Sequence, residues 1–199
     1  SYQFIKALLN NEKGLHIDKD HFMTISPDEG SMNRAIYLAN VLGVDMGMYY
    51  KRLDYSRYVN GRHPIAAYEF LGPKIEGKDM ILIDDMISSG DTIIKIASLL
   101  KEKGAGRVYI CSTFGFFTDG LDKFDDAYKK GYFDKLLTTN LVYQSPELLE
   151  KPYYISCDMS KYIALIIDTL NHDTSVSHLL NPVDRIKRCV TNYMSQHEK

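Results

Sequence analysis

The stretch Ile81-Leu82-Ile83-Asp84-Asp85-Met86-Ile87-Ser88-Ser89-Gly90-Asp91-Thr92 decides the fold. Met80–Ile83 is a continuous apolar run, the pattern of a strand buried on both faces, and it ends in two adjacent carboxylates. After a short loop, Gly90 to Lys103 carries Ile93, Ile94, Ile96, Ala97, Leu99 and Leu100 at helical spacing, with Gly104 at its C-terminal end. A strand that passes through small residues into a helix gathers free N–H groups and the Ser88, Ser89 and Thr92 hydroxyls around one point. Gly90 permits close backbone approach or a positive φ. Such a cup suits phosphate oxygens. Asp84 and Asp85 cannot hold phosphate, but they suit sugar hydroxyls or a Mg²⁺ ion. Hydroxyl acceptors beside a phosphate cup describe a pentose 5-phosphate. A strand-end acidic pair followed by an ordinary serine N-cap would use the same residue types.

Outward from this stretch, strand and helix patterns alternate. His21–Ile25 reads as a short strand, and Asp28-Glu29 opens a helix with Met32, Ala35, Ile36, Leu38, Ala39 and Leu42 on its apolar face, closed by Gly43. Val44–Tyr50, Val108–Thr113, Leu136–Thr138 and Tyr153–Cys157 read as strands; Asp119–Lys130 and Ser160–Asn171 read as helices. Continuous apolar strands joined by helices predict an α/β fold, a mostly parallel central sheet flanked by helices on both faces. Ligands of such sheets bind beyond the carboxyl ends of the strands. That selects Ser26–Gly30, Tyr50–Pro64, Asp84–Thr92, Phe114–Phe117 and Thr138–Asn140 for scrutiny. From Thr174 the chain has few periodic positions, contains Pro182, and is expected to pack on an edge or fray.

Composition bounds the alternatives. At 199 residues and 22.8 kDa the chain is the size of one ordinary domain. A formal net charge of −2 argues against non-specific nucleic-acid binding. No apolar run approaches the ~18 residues of a membrane span. Three cysteines without CxxC spacing argue against a disulfide framework or a structural zinc site; Cys111 and Cys157 read as small buried hydrophobes in a reducing, cytoplasmic setting. The six histidines form no HxxH or HExxH pair, and GxSxG and P-loop lysine motifs are missing. Ser1–Leu9 has helical apolar spacing and no basic segment, so it reads as a helix that begins mid-stride and not as a signal peptide. The expected organisation is a linking helix over 1–20 that follows a missing half, a domain over 21–182, and a C-terminal tail over 183–199.

The segment Tyr50–Pro64 is the basic counterpart of the acidic strand end. It holds Lys51, Arg52, Arg57 and Arg62 against Asp54, and Asn60-Gly61 signals a tight turn. A basic hairpin flap can close over a polyphosphate and exclude water. His63 lies in the same flap. A solvated surface hairpin is the plainer reading of such a charge run.

The central stretch resembles the PRPP-binding motif of type I phosphoribosyltransferase folds. The wider pattern is similar to ribose-phosphate pyrophosphokinases (PRPP synthetases). Ser26-Pro27-Asp28-Glu29-Gly30, Tyr50-Lys51-Arg52, Gly104-Ala105-Gly106-Arg107-Val108-Tyr109, Thr113-Phe114-Gly115-Phe116-Phe117 and Thr138-Thr139-Asn140 occur in that order. The resemblance runs from about Ser1 to Pro182 and corresponds to the carboxyl-terminal half of that family. The amino-terminal half carries much of the ATP site and a metal-binding histidine. The resemblance implies that Asp84 and Asp85 bind the ribose hydroxyls of ribose 5-phosphate, and that Ser88, Ser89, Gly90, Asp91 and Thr92 bind its phosphate. It implies Mg²⁺ as cofactor with Asp28 helping to place it, Lys51 and Arg52 as catalytic residues of the flap, and ATP/AMP and PRPP as further ligands. It also implies a homo-oligomer. A helix-opening acid is the alternative for Asp28.

Two positions depart from the pattern. The second basic residue of the catalytic loop is replaced by Leu53, leaving Arg52 one position off, where strand alternation points it elsewhere. In the phosphate loop, Asp91 stands where the family has a small residue, and Ser88 where it has an acid. The expected activity is transfer of diphosphate from ATP to ribose 5-phosphate. A non-catalytic pentose-phosphate or PRPP-binding regulatory module is the alternative, and a PRPP-consuming transferase would need a nucleobase hood that the sequence does not show.

Overall fold

The computed structural model describes residues 1–58, 61 and 65–197. Asn60, Arg62, His63 and Pro64 of the expected flap lie outside these. The elements are α1 (Tyr2–Asn11), β1 (Phe22–Ser26), α2 (Met32–Leu42), β2 (Asp45–Leu53), β3 (Ile65–Leu71), β4 (Asp79–Ile87), α3 (Asp91–Glu102), β5 (Val108–Gly115), α4 (Asp122–Lys129), β6 (Lys135–Thr139), α5 (Pro146–Leu149), β7 (Tyr154–Cys157), α6 (Ser160–Asn171), α7 (Ser177–Leu180) and α8 (Val183–His197).

The strands form one seven-stranded sheet in the order β3-β2-β1-β4-β5-β6-β7. All neighbours are parallel except β2 and β3, an antiparallel pair at the edge. The expected mostly parallel sheet is therefore present; β2 and β3 form an antiparallel pair, β3 being a strand the sequence reading did not name, and Asn60 of the expected tight turn lies outside the described residues. The chain winds outward from β1 to β2 and β3, then returns to lay β4 on the other side of β1. That reversal is a topological switch point, where the loops after β1 and β4 part and leave a crevice.

Period-two alternation sorts the apolar strands between two cores. Met80, Leu82, Val108, Ile110 and Leu136 face α3 and α4 with Ile93, Ile96, Leu100 and Phe124. Ile81, Ile83, Tyr109, Cys111 and Leu137 face the other way, onto α1, α2 and α8. Cys111 and Cys157 are buried free thiols, as expected. Burial pushes the Cys111 thiol up and that of Cys157 to about 12. β4 runs further than its apolar core: Asp84 pairs with Ser112 and Met86 with Phe114, so the two acids belong to the strand.

The stretch from Thr174 corrects the expectation of an irregular tail. It forms α7 and the fifteen-residue α8, which opens on Pro182, whose carbonyl accepts from Ile186 N–H at 2.9 Å. Val183, Ile186, Cys189, Val190, Tyr193 and Met194 make its apolar stripe, with Ile186 and Tyr193 buried. α8 packs on α1, and Phe4, Ile5, Leu8 and Leu9 of α1 are buried there. The Tyr193 hydroxyl donates to the Glu12 carbonyl at 2.9 Å and accepts from Leu15 N–H at 3.2 Å. The apolar face of the first helix thus has a partner within this chain.

Candidate functional site

An open cleft of about 350 Å³ lies at the switch point, lined by Asp28, Gly30, Ser31 and residues 84–93. Its parts arrive on the turn between β1 and α2, the end of β4, the loop that follows it and the N-terminus of α3.

β1 ends at Ser26, whose buried hydroxyl donates to the Asp28 carbonyl at 2.6 Å. Asp28 caps a short 3₁₀ turn over Glu29–Ser31, accepting from Gly30 N–H at 3.0 Å through Oδ1. Its other oxygen accepts from Lys51 Nζ at 3.0 Å. Lys51 reaches in from β2, so the hairpin and the cleft are joined by this ion pair. Arg52, the next residue along the strand, is not brought into the cleft. It pairs with Glu69 of β3 at 3.0 Å, as alternation requires.

Ser31 is a cleft residue that the sequence did not single out. Its buried hydroxyl donates to Asp84 Oδ1 at 2.5 Å. The same oxygen accepts from Asp85 N–H at 2.8 Å. Burial, the largest cause, and the nearby charges of Asp28 and Asp85 push the Asp84 carboxyl above its ordinary value; the Ser31 and Asp85 hydrogen bonds oppose this. Asp85 is more open: Oδ1 accepts from Met86 N–H at 2.8 Å, and Oδ2 lies 3.4 Å from Arg34 of α2.

Beyond the acids, Gly90 turns the chain into α3 with φ of 85°. A Cβ there would run into the Phe124 ring, which Phe117 braces edge-on with ring centroids 5.2 Å apart. Both backbone conformation and space therefore demand glycine. α3 begins at Asp91, and Ile94 N–H makes the first intrahelical bond to Gly90 at 3.0 Å. The N–H groups of the first turn have no partner within the helix, and that of Asp91 donates to Ser89 Oγ at 3.4 Å.

Asp91 brings negative charge to this helix end, and the structure supplies its counter-ion. Lys123 of α4 donates to Asp91 at 2.7 Å and to Asp119 at 2.9 Å. Asp91 Oδ2 also accepts from Ser89 Oγ at 2.9 Å. The lysine hydrogen bond, then that of Ser89, holds the Asp91 carboxyl below its ordinary value. Ser88 Oγ lies 3.4 Å from Thr118 Oγ1, and Thr118 N–H donates to the Ser88 carbonyl at 3.1 Å, so the loop after β5 steadies the cup. Of the other strand ends, Phe116 and Phe117 N–H groups donate to the Ile87 carbonyl, which fixes the end of β4. Thr138 and Asn140 stay outside the cleft: Thr138 bonds the Tyr154 hydroxyl, and Asn140 bonds Asp158 and Met159.

A family model described as "Phosphoribosyl synthetase-associated domain" matches residues 62–181, more than half of the chain. The chain belongs to the phosphoribosyl synthetase-associated domain family. Over 163 residues it is 29% identical to the ribose-phosphate pyrophosphokinase of Vibrio parahaemolyticus, covering 81% of this chain and 49% of that protein. It is 31% identical over 121 residues to the ribose-phosphate pyrophosphokinase of Thermococcus kodakarensis, covering 60% of this chain and 39% of that one. The crystal structure of phosphoribosylpyrophosphate synthetase from Mycobacterium smegmatis shares the fold, with a TM-score of 0.67 at 21% identity over 86% of this chain and 51% of that one. The chain spans about half the length of the curated relatives it matches. The family match takes in the cup, β4, α3 and most of the structure on the far side of it, whereas Asp28 and Lys51 precede the matched residues. No helix among the described residues of this phosphoribosyl synthetase-associated domain is long and apolar enough to cross a membrane.

Proposed function

We propose that this chain provides the ribose 5-phosphate site and catalytic flap of a ribose-phosphate diphosphokinase, with ATP and ribose 5-phosphate as substrates and AMP and PRPP as products, in the cytoplasm. The observation that carries the reading is the cleft itself: two carboxylates on β4 face a helix N-terminus with small hydroxyl residues, at the switch point of the sheet. Ribose 5-phosphate fits with its hydroxyls on Asp84 and Asp85 and its phosphate over Ser88–Thr92. Ser31 turns one Asp84 oxygen into a fixed acceptor, so that carboxylate is oriented before the sugar arrives.

In the reaction, the C1 hydroxyl oxygen of the sugar attacks the β-phosphorus of ATP. The bond from that phosphorus to the oxygen shared with the α-phosphate breaks, AMP leaves, and the hydroxyl proton passes to solvent. This chain contributes position and charge. Asp85 and Asp84 hold the sugar, and Lys51 supplies positive charge to the migrating diphosphate when it leaves Asp28.

Asp28 fits a Mg²⁺ partner by one observation: its outer oxygen already faces a cation, the Lys51 ammonium, at 3.0 Å. Among the described residues no three acidic, cysteine or histidine groups cluster as a closed metal cage. That suits Mg²⁺, which takes one or two carboxylates and fills the rest of its shell with substrate phosphate and water. When bound, Mg²⁺ would supply charge neutralisation on the polyphosphate.

A non-catalytic pentose-phosphate sensor is the second reading. The engagement of Arg52 by Glu69, with Leu53 in place of a second basic residue, favours it. A ³¹P NMR time course of the chain with ribose 5-phosphate, ATP and Mg²⁺ distinguishes the two. Appearance of AMP and a sugar-linked diphosphate is the catalytic outcome. A shifted sugar-phosphate signal without turnover supports the sensor, or a half-site that needs a partner for the nucleotide. Unchanged signals would remove the pentose-phosphate reading altogether.

A further inference from the structure

Three cationic side chains pair with the carboxylates of the cleft among the described residues: Lys123 with Asp91, Lys51 with Asp28, and Arg34 with Asp85. The proposed site already uses the first two, but not Arg34. This residue stands in the first turn of α2, where the helix dipole favours an acid and opposes a cation. Residues that break a local rule in this way gather at functional sites. Its one hydrogen bond among the described residues runs from Nη2 to Asp85 Oδ2 at 3.4 Å. The side chain is 44% exposed, and the rest of the guanidinium fork has no partner among the described residues. Other arginines near the sheet are occupied. Arg107 donates to Asp79 and to the Lys13 and Gly14 carbonyls, and Arg52 is taken by Glu69.

The chemistry of the sugar says which part of the ligand such a fork meets. In a pentose 5-phosphate the phosphate hangs from C5, and the reacting hydroxyl from C1 on the far side of the ring. The C2 hydroxyl lies next to C1. With the phosphate over Ser88–Thr92 and the ring hydroxyls on Asp84 and Asp85, C1 points away from the end of α3 and toward the turn between β1 and α2. Asp28 with Lys51, and Asp85 with Arg34, lie on that side. A diphosphate on C1 adds negative charge to a cleft that already holds Asp28, Asp84 and Asp85. Leu53 is apolar and Arg52 is turned away, so β2 brings one cation to meet it, Lys51. A planar guanidinium suits two phosphoryl oxygens at once. Arg34 has enough donors to hold them while one nitrogen stays on Asp85.

We propose, on the reading of the cleft as a ribose 5-phosphate site, that Arg34 binds the diphosphate on C1 of the sugar. It is the second cation on the migrating group, supplied from α2 instead of from the hairpin. The guanidinium stays protonated and no bond to it forms or breaks. It donates hydrogen bonds to the non-bridging phosphoryl oxygens as charge builds on them. Because it also rests on Asp85, it ties the acid that holds the sugar to the charge that holds the diphosphate. The consequence is selectivity: the site favours the sugar that bears a C1 diphosphate over ribose 5-phosphate, and Arg34 carries that preference.

Calorimetric titration of the full chain with ribose 5-phosphate and with PRPP tests this, at one fixed Mg²⁺ concentration and without AMP, so that nothing turns over. The parent should bind PRPP at least about tenfold more tightly than ribose 5-phosphate. Arg34→Ala should weaken PRPP binding at least about 20-fold and leave ribose 5-phosphate within about threefold of the parent. Arg34→Lys keeps the charge and loses the fork, and should leave a deficit of about three- to tenfold for PRPP. The thermal midpoint should hold in both variants, because both partners of the Arg34–Asp85 pair are well exposed. Equal losses for the two ligands in Arg34→Ala would overturn the proposal and make Arg34 a positioning residue for Asp85. Unchanged PRPP binding in that variant would overturn it by placing the diphosphate elsewhere. A parent that binds ribose 5-phosphate but shows no preference for PRPP would overturn it and leave the cleft reading standing. A parent that binds neither ligand would remove both.

Discussion

The two basic-to-acidic meeting points of the cleft are built differently. The cup between β4 and α3 is held from behind by packing: Gly90 sits on the Phe124 ring, Phe117 braces that ring, and the loop after β5 bonds to Ile87 and Ser88. The hairpin of β2 and β3 lies at the sheet edge, and among the described residues the ion pair of Lys51 with Asp28 ties it to the cleft. In the proposed function, the cup is fixed in advance and the hairpin reaches the cleft through an exchangeable ion pair. A binding site gains affinity from being fixed before the ligand arrives. A group that must act on the transition state gains from moving to it late.

The largest effect that would break this contrast is expected at Gly90. Gly90→Ala forces a side chain into the left-handed region and against Phe124, at a cost of about 2–4 kcal/mol of stability. Urea unfolding measures this, and sugar-phosphate binding should fall with it. A Gly90→Ala protein of unchanged stability would mean that the cup is not fixed from behind.

Lys51→Ala should separate the flap from the cup. Turnover, measured by release of AMP in whatever assembly is active, should drop about 10²- to 10³-fold through loss of a charge on the migrating group. Affinity for ribose 5-phosphate should stay within about twofold and stability within ~1 kcal/mol, since the Asp28–Lys51 pair is partly exposed. An equal loss of affinity would place Lys51 in the cup.

Asp84→Asn sharpens the comparison on the acidic side. The Asp84 carboxyl is held above its ordinary value, mainly by burial. A raised folded-state value means that the folded protein binds this proton more tightly than the unfolded chain does. The penalty for ionising Asp84 therefore sets in as pH rises from the unfolded carboxyl's range through Asp84's own raised value, and it is complete above that. The variant should bind ribose 5-phosphate at least about tenfold more weakly, yet be as stable as the parent or more so at neutral pH. Any gain should disappear in acid. Unfolding curves across pH check the sign.

The smallest effect is expected at Lys123. Lys123→Met leaves Asp91 without this counter-ion beside the proposed phosphate position and should weaken sugar-phosphate binding only about two- to fivefold, because the pair is exposed and screened by salt. Titrations at low and high ionic strength should show the deficit shrinking as salt rises.

What the sequence made legible was local. The apolar run, the paired acids and the small-residue loop are consecutive, so β4, the turn at Gly90 and α3 follow from propensity and backbone chemistry alone. Arg52 is a correction to the expected catalytic pair: strand alternation turns it away from Lys51 and onto Glu69, so only Lys51 of the two reaches the cleft. Contacts between distant residues were hidden. Ser31 lies 53 positions from Asp84, and Lys123 lies 32 from Asp91, and no pattern along the chain links either pair. Pro182 was misleading because proline ends helices in mid-run but is well placed at their start, where its missing N–H costs nothing. The helix over Ser160–Asn171 was legible, but not which of its apolar residues face outward: Ile163, Leu165, Ile167 and Leu170 are exposed.

The most direct test of the account is calorimetric titration of the full chain with ribose 5-phosphate, with ribose and inorganic phosphate as comparison ligands, repeated on Asp85→Asn. The account predicts saturable binding of ribose 5-phosphate, tighter than either part alone, lost in Asp85→Asn while the thermal midpoint stays almost unchanged. Equal binding of inorganic phosphate and ribose 5-phosphate, or full affinity in Asp85→Asn, would contradict it: the cleft would then be an anion site in which the paired acids play no part.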